Sequence, residues 1–154
     1  MNGMKKYWLC KSEPDNYSID ELEKDGVTPW DGVRNYAARN FMRDEMQVGD
    51  GVFFYHSNQK PPSIVGIMEV ASEPYPDALQ FDPDSKYFDP KSDENDPRWV
   101  NVDMKFISKL KNPIGRDELK SEELLQGMEL FRLGRLSITH VTEEEWNKIQ
   151  EMIG

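Results

Sequence analysis

The sequence predicts an α+β fold in which a curved or closed, mostly antiparallel sheet carries peripheral helices. Three observations predict it. Short apolar or alternating segments recur along the 154 residues without regular interleaving by helices, which favours antiparallel over parallel pairing. Two capping boxes, Ser18 with Glu21 and Thr142 with Glu145, each open a short helix. The length suits one ordinary domain, placed at residues 4–154, and is too short for two cores and a linker.

Taken in order, Tyr7 to Cys10 reads as a short buried strand, ended by the polar tetrad Lys11, Ser12, Glu13 and Pro14. The helix capped at Ser18 runs from Ile19 to Lys24 and stops at Gly26. Pro29, Trp30, Asp31 and Gly32 make the next turn. From Val33 to about Glu45, Val33, Ala37, Phe41 and Met42 recur at helical spacing and put Arg39 and Arg43 one turn apart on another face. Gly49, Asp50 and Gly51 signal a turn before the strand Val52 to Tyr55, which ends at His56, Ser57 and Asn58. Past Pro61 and Pro62, Ile64 to Val70 supplies the return strand of a hairpin, with Gly66 marking a bulge or a close backbone approach. Glu73 to Arg98 holds five prolines and eight acids against three bases, too proline-rich for regular structure. Its Tyr75, Phe81, Tyr87 and Phe88 are anchors, so an ordered surface loop is expected. Val100, Val102, Met104 and Phe106 alternate with polar residues in a half-buried strand. A short helix is expected over Leu119 to Leu125, core contacts from Leu130, Phe131 and Leu133, and a last strand over Leu136 to Thr139. The helix after Thr142 lines Trp146, Ile149 and Ile153 along one face.

Composition excludes several functions. With 37% hydrophobic and 11% aromatic residues, most of the chain is folded rather than disordered. No apolar run is long enough to span a membrane, and Met1 to Lys6 leads into no signal-peptide core, so no membrane partner is expected. The single cysteine, Cys10, cannot form an internal disulfide and points to a reducing compartment: the cytoplasm, or the nucleus in a eukaryote. A net charge of -10 argues against tight nonspecific binding to duplex DNA. The excess is local, however, since residues 61–100 carry nine acids against three bases. Arg34, Arg39 and Arg43 form a basic strip elsewhere, whose bland reading is a solvated helix face.

Catalytic patterns are weak. Two histidines and one cysteine give no metal-ligand cluster. In the acidic loop, Asp82 and Asp84 resemble the start of a calcium loop, but Lys86 and Tyr87 stand where a ligand and the glycine belong. No glycine-rich phosphate loop occurs. Cys10 or Ser57 with His56 or His140 makes a poor nucleophile and base pair, because neighbours on a strand face opposite sides. No cofactor is implied, and an enzyme is not expected. Left over are Lys11, Ser12, Trp30, Arg34, Asn35, Tyr55, His56, Ser57 and Asn58, aromatic and polar groups at strand ends and turns. Stacking faces beside directional hydrogen bonds suit a planar heterocycle such as a nucleobase, although Trp30 fits the core as well as a ligand platform and Tyr55 fits the core better.

At these residues the sequence resembles the EVE domain family. The resemblance rests on YWLCKSEP (Tyr7 to Pro14), WDGVRNYAARNFMR (Trp30 to Arg43) and GDGVFFYHSN (Gly49 to Asn58), then YPD (Tyr75 to Asp77), PRWVNVDMKF (Pro97 to Phe106) and RLSI (Arg135 to Ile138). It implies a PUA-like fold, a small curved β-barrel with peripheral helices, and binding rather than catalysis. The implied partner is DNA or RNA carrying a modified base, with modified cytosine in DNA favoured. The base would leave its stack and enter a pocket. Pocket residues implied by the match are Lys11, Ser12, Trp30, Asn35, Tyr55, His56, Ser57 and Ser137. Trp30 would stack on the base, and Ser12, Asn35, Ser57 and Ser137 would bond its edge. Lys11 with Arg34, Arg39 and Arg43 would meet phosphate. Gly51 fills the variable position of the family's GDxVFFYHS turn, where glycine is tolerated. Two other classes stay open: an enzyme acting on a modified nucleotide through His56 or Cys10, and a protein-interaction module using the acidic loop 73–96.

Overall fold

The computed structural model describes residues 5–154. Met1 to Met4 lie outside the described residues, and with them the start placed for the domain and most of the stretch read for a signal peptide. Strands β1 (Tyr7–Ser12), β2 (Val27–Pro29), β3 (Gly51–His56), β4 (Ser63–Val70), β7 (Asp103–Gly115) and β8 (Ile138–Val141) form one curled sheet in the order β2-β7-β4-β3-β1-β8. β5 (Tyr75–Pro76) and β6 (Val100–Asn101) make a separate two-stranded ribbon. Helices α1 (Ile19–Asp25), α2 (Tyr36–Asn40), α3 (Arg116–Ser121), α4 (Glu129–Arg132) and α5 (Glu143–Ile153) pack around them. The class is the α+β expected, but the sheet closes only half a barrel, with β2 and β8 as its edges. Among the described residues no helix is long and apolar enough to cross a membrane.

Tyr7 to Cys10 of β1 and Val52 to Tyr55 of β3 are unbroken apolar runs because these parts lie inside the sheet with both faces covered. Trp8, Cys10, Val52 and Phe54 join one buried cluster with Ile19 and Leu22 of α1 and with Ala38 and Met42. Leu9, Phe53 and Tyr55 join the opposite cluster with Leu119, Leu125, Leu130, Trp146 and Ile149. β1 and β3 pair in parallel, from Tyr7 with Gly51 to Ser12 with His56, so both strands end at one edge. β8 pairs antiparallel with β1, Ile138 opposite Cys10, so its beginning joins that edge. Ser57 N donates to Ser12 O at 3.1 Å there, and Lys11 N to Ser137 O at 2.9 Å. This register gathers polar residues that are far apart in sequence.

Several expectations shift. β1 continues through Lys11 and Ser12, which pair with Tyr55 and His56 before the chain turns. Both capping boxes form, at Ser18 and at Thr142. The helix expected from Val33 begins at Tyr36, because Asn35 caps it, and its continuation Phe41–Glu45 widens into a π-helical turn. Val27–Pro29 adds an unexpected strand against β7. The alternating segment from Val100 splits into β6 and the 13-residue β7, which runs on to Gly115. Leu133 is exposed, not core, while Leu130 is buried. Gly51 also makes room for a neighbour: a Cβ there would stand 2.7 Å from the Trp146 ring, which stacks between Tyr7 and Phe53. The 73–98 loop is ordered around buried Asp77 and Gln80, whose Nε2 donates to the carbonyls of Asp77 and Trp99 at 2.7 Å each.

His140 on β8 ties three elements together. Its Nε2 lies 3.0 Å from Glu45 Oε1 and its Nδ1 3.0 Å from Glu129 Oε1, an arrangement in which both nitrogens donate as an imidazolium. Burial pulls its pKa down, but the hydrogen bonds and charges of Glu45 and Glu129 raise it overall above 6.5. A raised folded-state pKa gives stabilisation that is complete below the unfolded value and fades as pH rises through the folded one. The stability difference between wild type and His140→Gln is therefore expected to be largest near pH 6 and to shrink toward pH 9, by at most about 1 kcal/mol because solvent screens the pairs. Urea titrations across that range check it.

Candidate functional site

The edge where β1, β3 and β8 meet opens into a cavity of about 670 Å³. β1 lines it with Lys11 and Ser12, β3 with Tyr55, and Ser57 and Ser137 follow from the adjoining turns. The turn after β2 contributes Trp30, Asp31, Gly32, Val33 and Arg34, and the acidic loop contributes Tyr87. Tyr17, Arg116 at the start of α3, and Arg135 just before β8 complete the lining used below.

Trp30 is fixed at both ends. Its backbone N–H donates to Val102 O at 2.8 Å, and its ring meets Phe54 at 5.4 Å and Tyr17 at 6.5 Å, both near perpendicular. Among the described residues the Trp30 indole N–H, the Tyr55 hydroxyl and the Ser57 and Ser137 hydroxyls make no hydrogen bond. Unpaired donors and acceptors around an aromatic cavity can satisfy a planar polar ligand. Ser12 is partly committed, since its hydroxyl donates to Tyr17 O at 2.7 Å and keeps its lone pairs as acceptors.

Cations outnumber acids here: Lys11, Arg34, Arg116 and Arg135 line the cavity against Glu13 and Asp31. In a chain of net charge -10 this is a local reversal. Burial and the Arg116 charge push the Lys11 pKa down, and its Nζ donates to Gly134 O at 2.8 Å. Arg116 lies 5.1 Å over the Phe131 ring. Neither Arg116 nor Arg135 forms an ion pair among the described residues. Partial burial and the Asp77 carboxylate raise the Asp31 pKa, against the pull of its backbone hydrogen bond and Arg34.

Other residues expected at the pocket have different work. Asn35 does not line the cavity, because its Oδ1 accepts the Ala38 N–H at 3.1 Å and caps α2. His56 is buried away from it, with Nε2 accepting the Ile19 N–H and Nδ1 donating to Gln59 Oε1, both at 3.1 Å. Burial lowers its pKa and keeps it neutral. The arginine strip is also engaged internally. Arg34 pairs with buried Asp77 at 3.0 Å and donates to Tyr87 O. Arg39 donates to Asn40 Oδ1 and Arg98 O, and Arg43 pairs with Asp44 at 2.9 Å. Arg39 and Arg43 do not line the cavity. Arg116 and Arg135 stand there instead. Arg135 opens the RLSI motif, which signals its place, whereas no local pattern singles out Arg116, Asp31 or Tyr17.

Of the groups suspected of reactivity, Ser57 lines the cavity, whereas Cys10, His56 and His140 do not. Cys10 is fully buried, and burial pushes its thiol far above the usual range, which suppresses the thiolate. No cluster of three or more potential metal ligands occurs among the described residues.

A family model described as EVE domain matches residues 6–152. Human thymocyte nuclear protein 1 is 40% identical over 166 residues, a match covering 96% of this chain and 73% of the human protein. The structure of human THYN1 protein in complex with 5-methylcytosine-containing DNA superposes with a TM-score of 0.92 and 40% identity, over 97% of this chain and 98% of that one. A hypothetical protein from Leishmania major superposes with a TM-score of 0.94 and 47% identity, over 97% of this chain and 95% of that one.

Proposed function

The chain belongs to the EVE domain family, and from that premise we propose that it binds DNA carrying a modified cytosine, 5-methylcytosine first, without altering the base. The observation that carries the reading is the cavity beside Trp30, where an aromatic wall, unpaired hydroxyls and a surplus of cations coincide in an acidic protein. A base swung out of its stack packs against Trp30. The hydroxyls of Ser12, Ser57 and Ser137, with that of Tyr55, bond its edge. Asp31 is an acceptor suited to an exocyclic amine, and Lys11, Arg116 and Arg135 meet the flanking phosphates. The human relative's complex with 5-methylcytosine-containing DNA supports this choice of base. Burial of Cys10 and His56 disfavours an enzyme built on either residue. The name of the thymocyte nuclear protein 1 relatives favours a nuclear location in a eukaryote.

Tryptophan fluorescence titration tests the reading, with matched oligonucleotides bearing cytosine, 5-methylcytosine or 5-hydroxymethylcytosine at two salt concentrations. Wild type is expected to prefer a modified strand, and Trp30→Phe, which keeps a smaller aromatic face, to bind it more weakly, though by less than the roughly 5-fold or greater loss expected if the whole stack, worth about 1–3 kcal/mol, were removed. Equal, steeply salt-dependent binding of all three strands would reduce the site to electrostatics and refute base recognition.

A further inference from the structure

Beside the cavity lies a second aromatic surface. Tyr36 stacks on Trp99 with ring centres 4.8 Å apart and planes 21° from parallel, yet Tyr36 remains 51% exposed. The Arg39 guanidinium lies 4.7 Å from the Tyr36 ring centre and 5.9 Å from that of Trp99. A cation on the far side of Tyr36 would stand about twice the stacking distance from Trp99. The shorter separation keeps Arg39 off the far side of Tyr36, a residue that is half exposed.

The cation is held ready. Arg39 Nε and Nη2 donate to Asn40 Oδ1 at 3.1 and 2.8 Å, and Nη1 donates to Arg98 O at 3.0 Å. These acceptors are neutral, so they orient the guanidinium without cancelling its charge. The acid facing the stack, Asp89, accepts from Trp99 Nε1 at 2.8 Å and pairs with Arg98 at 3.5 Å. Arg34 joins this surface to the cavity: its guanidinium carbon lies 5.3 Å from the Trp99 ring centre and 5.6 Å from that of Tyr87, and both Arg34 and Tyr87 line the cavity.

An open aromatic face with a fixed cation at its side matches a nucleobase and its phosphate. We infer that the outer face of Tyr36 stacks the base next to the one held in the cavity, with Arg39 at the phosphate of that step. This rests on the base-binding reading above. A free nucleoside fills the cavity alone, whereas a strand engages both places.

The test compares wild type, Tyr36→Ala and Tyr36→Phe with three probes: 5-methyl-2′-deoxycytidine, a short single-stranded oligonucleotide containing one 5-methylcytosine, and that oligonucleotide with abasic sites on both sides of the modified base. Tyr36→Ala is expected to weaken the intact strand by about 5- to 100-fold, and Tyr36→Phe to restore it. Nucleoside affinity stays unchanged in both variants. Abasic flanks cost wild type a similar factor and cost Tyr36→Ala nothing further. Tyr36 is half exposed, so the fold survives the substitution, and matching thermal unfolding curves verify this. Equal strand affinity for wild type and Tyr36→Ala overturns the inference, as does an equal loss for the nucleoside, which would make Tyr36 part of the cavity. If wild type binds no probe, the cavity reading fails first and the inference falls with it.

Discussion

Replacing Asp77 with alanine is expected to cost about 3–5 kcal/mol of stability, the range for removing one partner of a buried ion pair. Asp77 is fully buried behind the cavity wall. Its Oδ2 accepts from Gly32 N at 2.8 Å and Arg34 Nη1 at 3.0 Å, and its Oδ1 from Leu79 N at 2.7 Å. Alanine leaves the Gly32 and Leu79 amides without their acceptor, and leaves Arg34, which keeps the carbonyls of Val33 and Tyr87, without its counter-charge. Because native domains hold only about 5–15 kcal/mol, the variant would be marginal at room temperature. Asp77→Asn keeps a carbonyl acceptor and should lose less. The urea midpoint, at unchanged slope, reads the effect. Arg34 also holds Tyr87 O through Nε and Nη2, at 3.0 and 2.9 Å, so removal of Asp77 loosens that side of the cavity as well. A cost below about 1 kcal/mol would mean that the pair contributes like an exposed one.

The second large effect concerns affinity. Arg116→Gln combined with Arg135→Gln is expected to weaken binding of every strand, modified or not, by about tenfold or more at low salt. For each phosphate that no longer meets an arginine, the dependence of log K on log salt should flatten by about 0.9 for duplex DNA and about 0.7 for a single strand. The preference for a modified base should survive, because Trp30 and the hydroxyls remain in place. An unchanged salt slope would take both arginines off the phosphate path. The same variants made at Arg34 would confuse affinity with stability, because Arg34 carries the Asp77 pair.

Local signals are legible in the sequence and partners are not. The capping boxes at Ser18 and Thr142 lie within four residues and form as expected. The hairpin of β3 and β4 is equally plain, with apolar runs on either side of a turn. β7 reads short in sequence because Lys109, Lys111 and Pro113 break its apolar pattern. Pro113 is tolerated because β2 covers only Asp103 to Lys105, and the β4 register slips between Ile64 and Gly66, opposite Ile114 and Lys109. Among the arginines, sequence shows charge but not occupancy. Arg34 finds Asp77 43 residues away, and Arg39 finds a carbonyl 59 residues away. The helix beginning at Tyr36 also explains Asn35, whose spacing to Ala38 is that of a cap and which resemblance alone places at the base.

The pairing of β1 with β8 also bears on how the protein comes into being. Lys11 and Gly134, joined across the cavity's rim, are 123 residues apart, and the β1 to β8 ladder closes a comparable loop. Such distant pairings place the chain among slow folders, in the millisecond to second range, because loop-closure entropy must be overcome before they reward it. During synthesis β1 emerges well before β8, its antiparallel neighbour. Until the ribosome has released Val141, an early strand of apolar residues has no permanent neighbour on that side, and the edge that frames the cavity is incomplete.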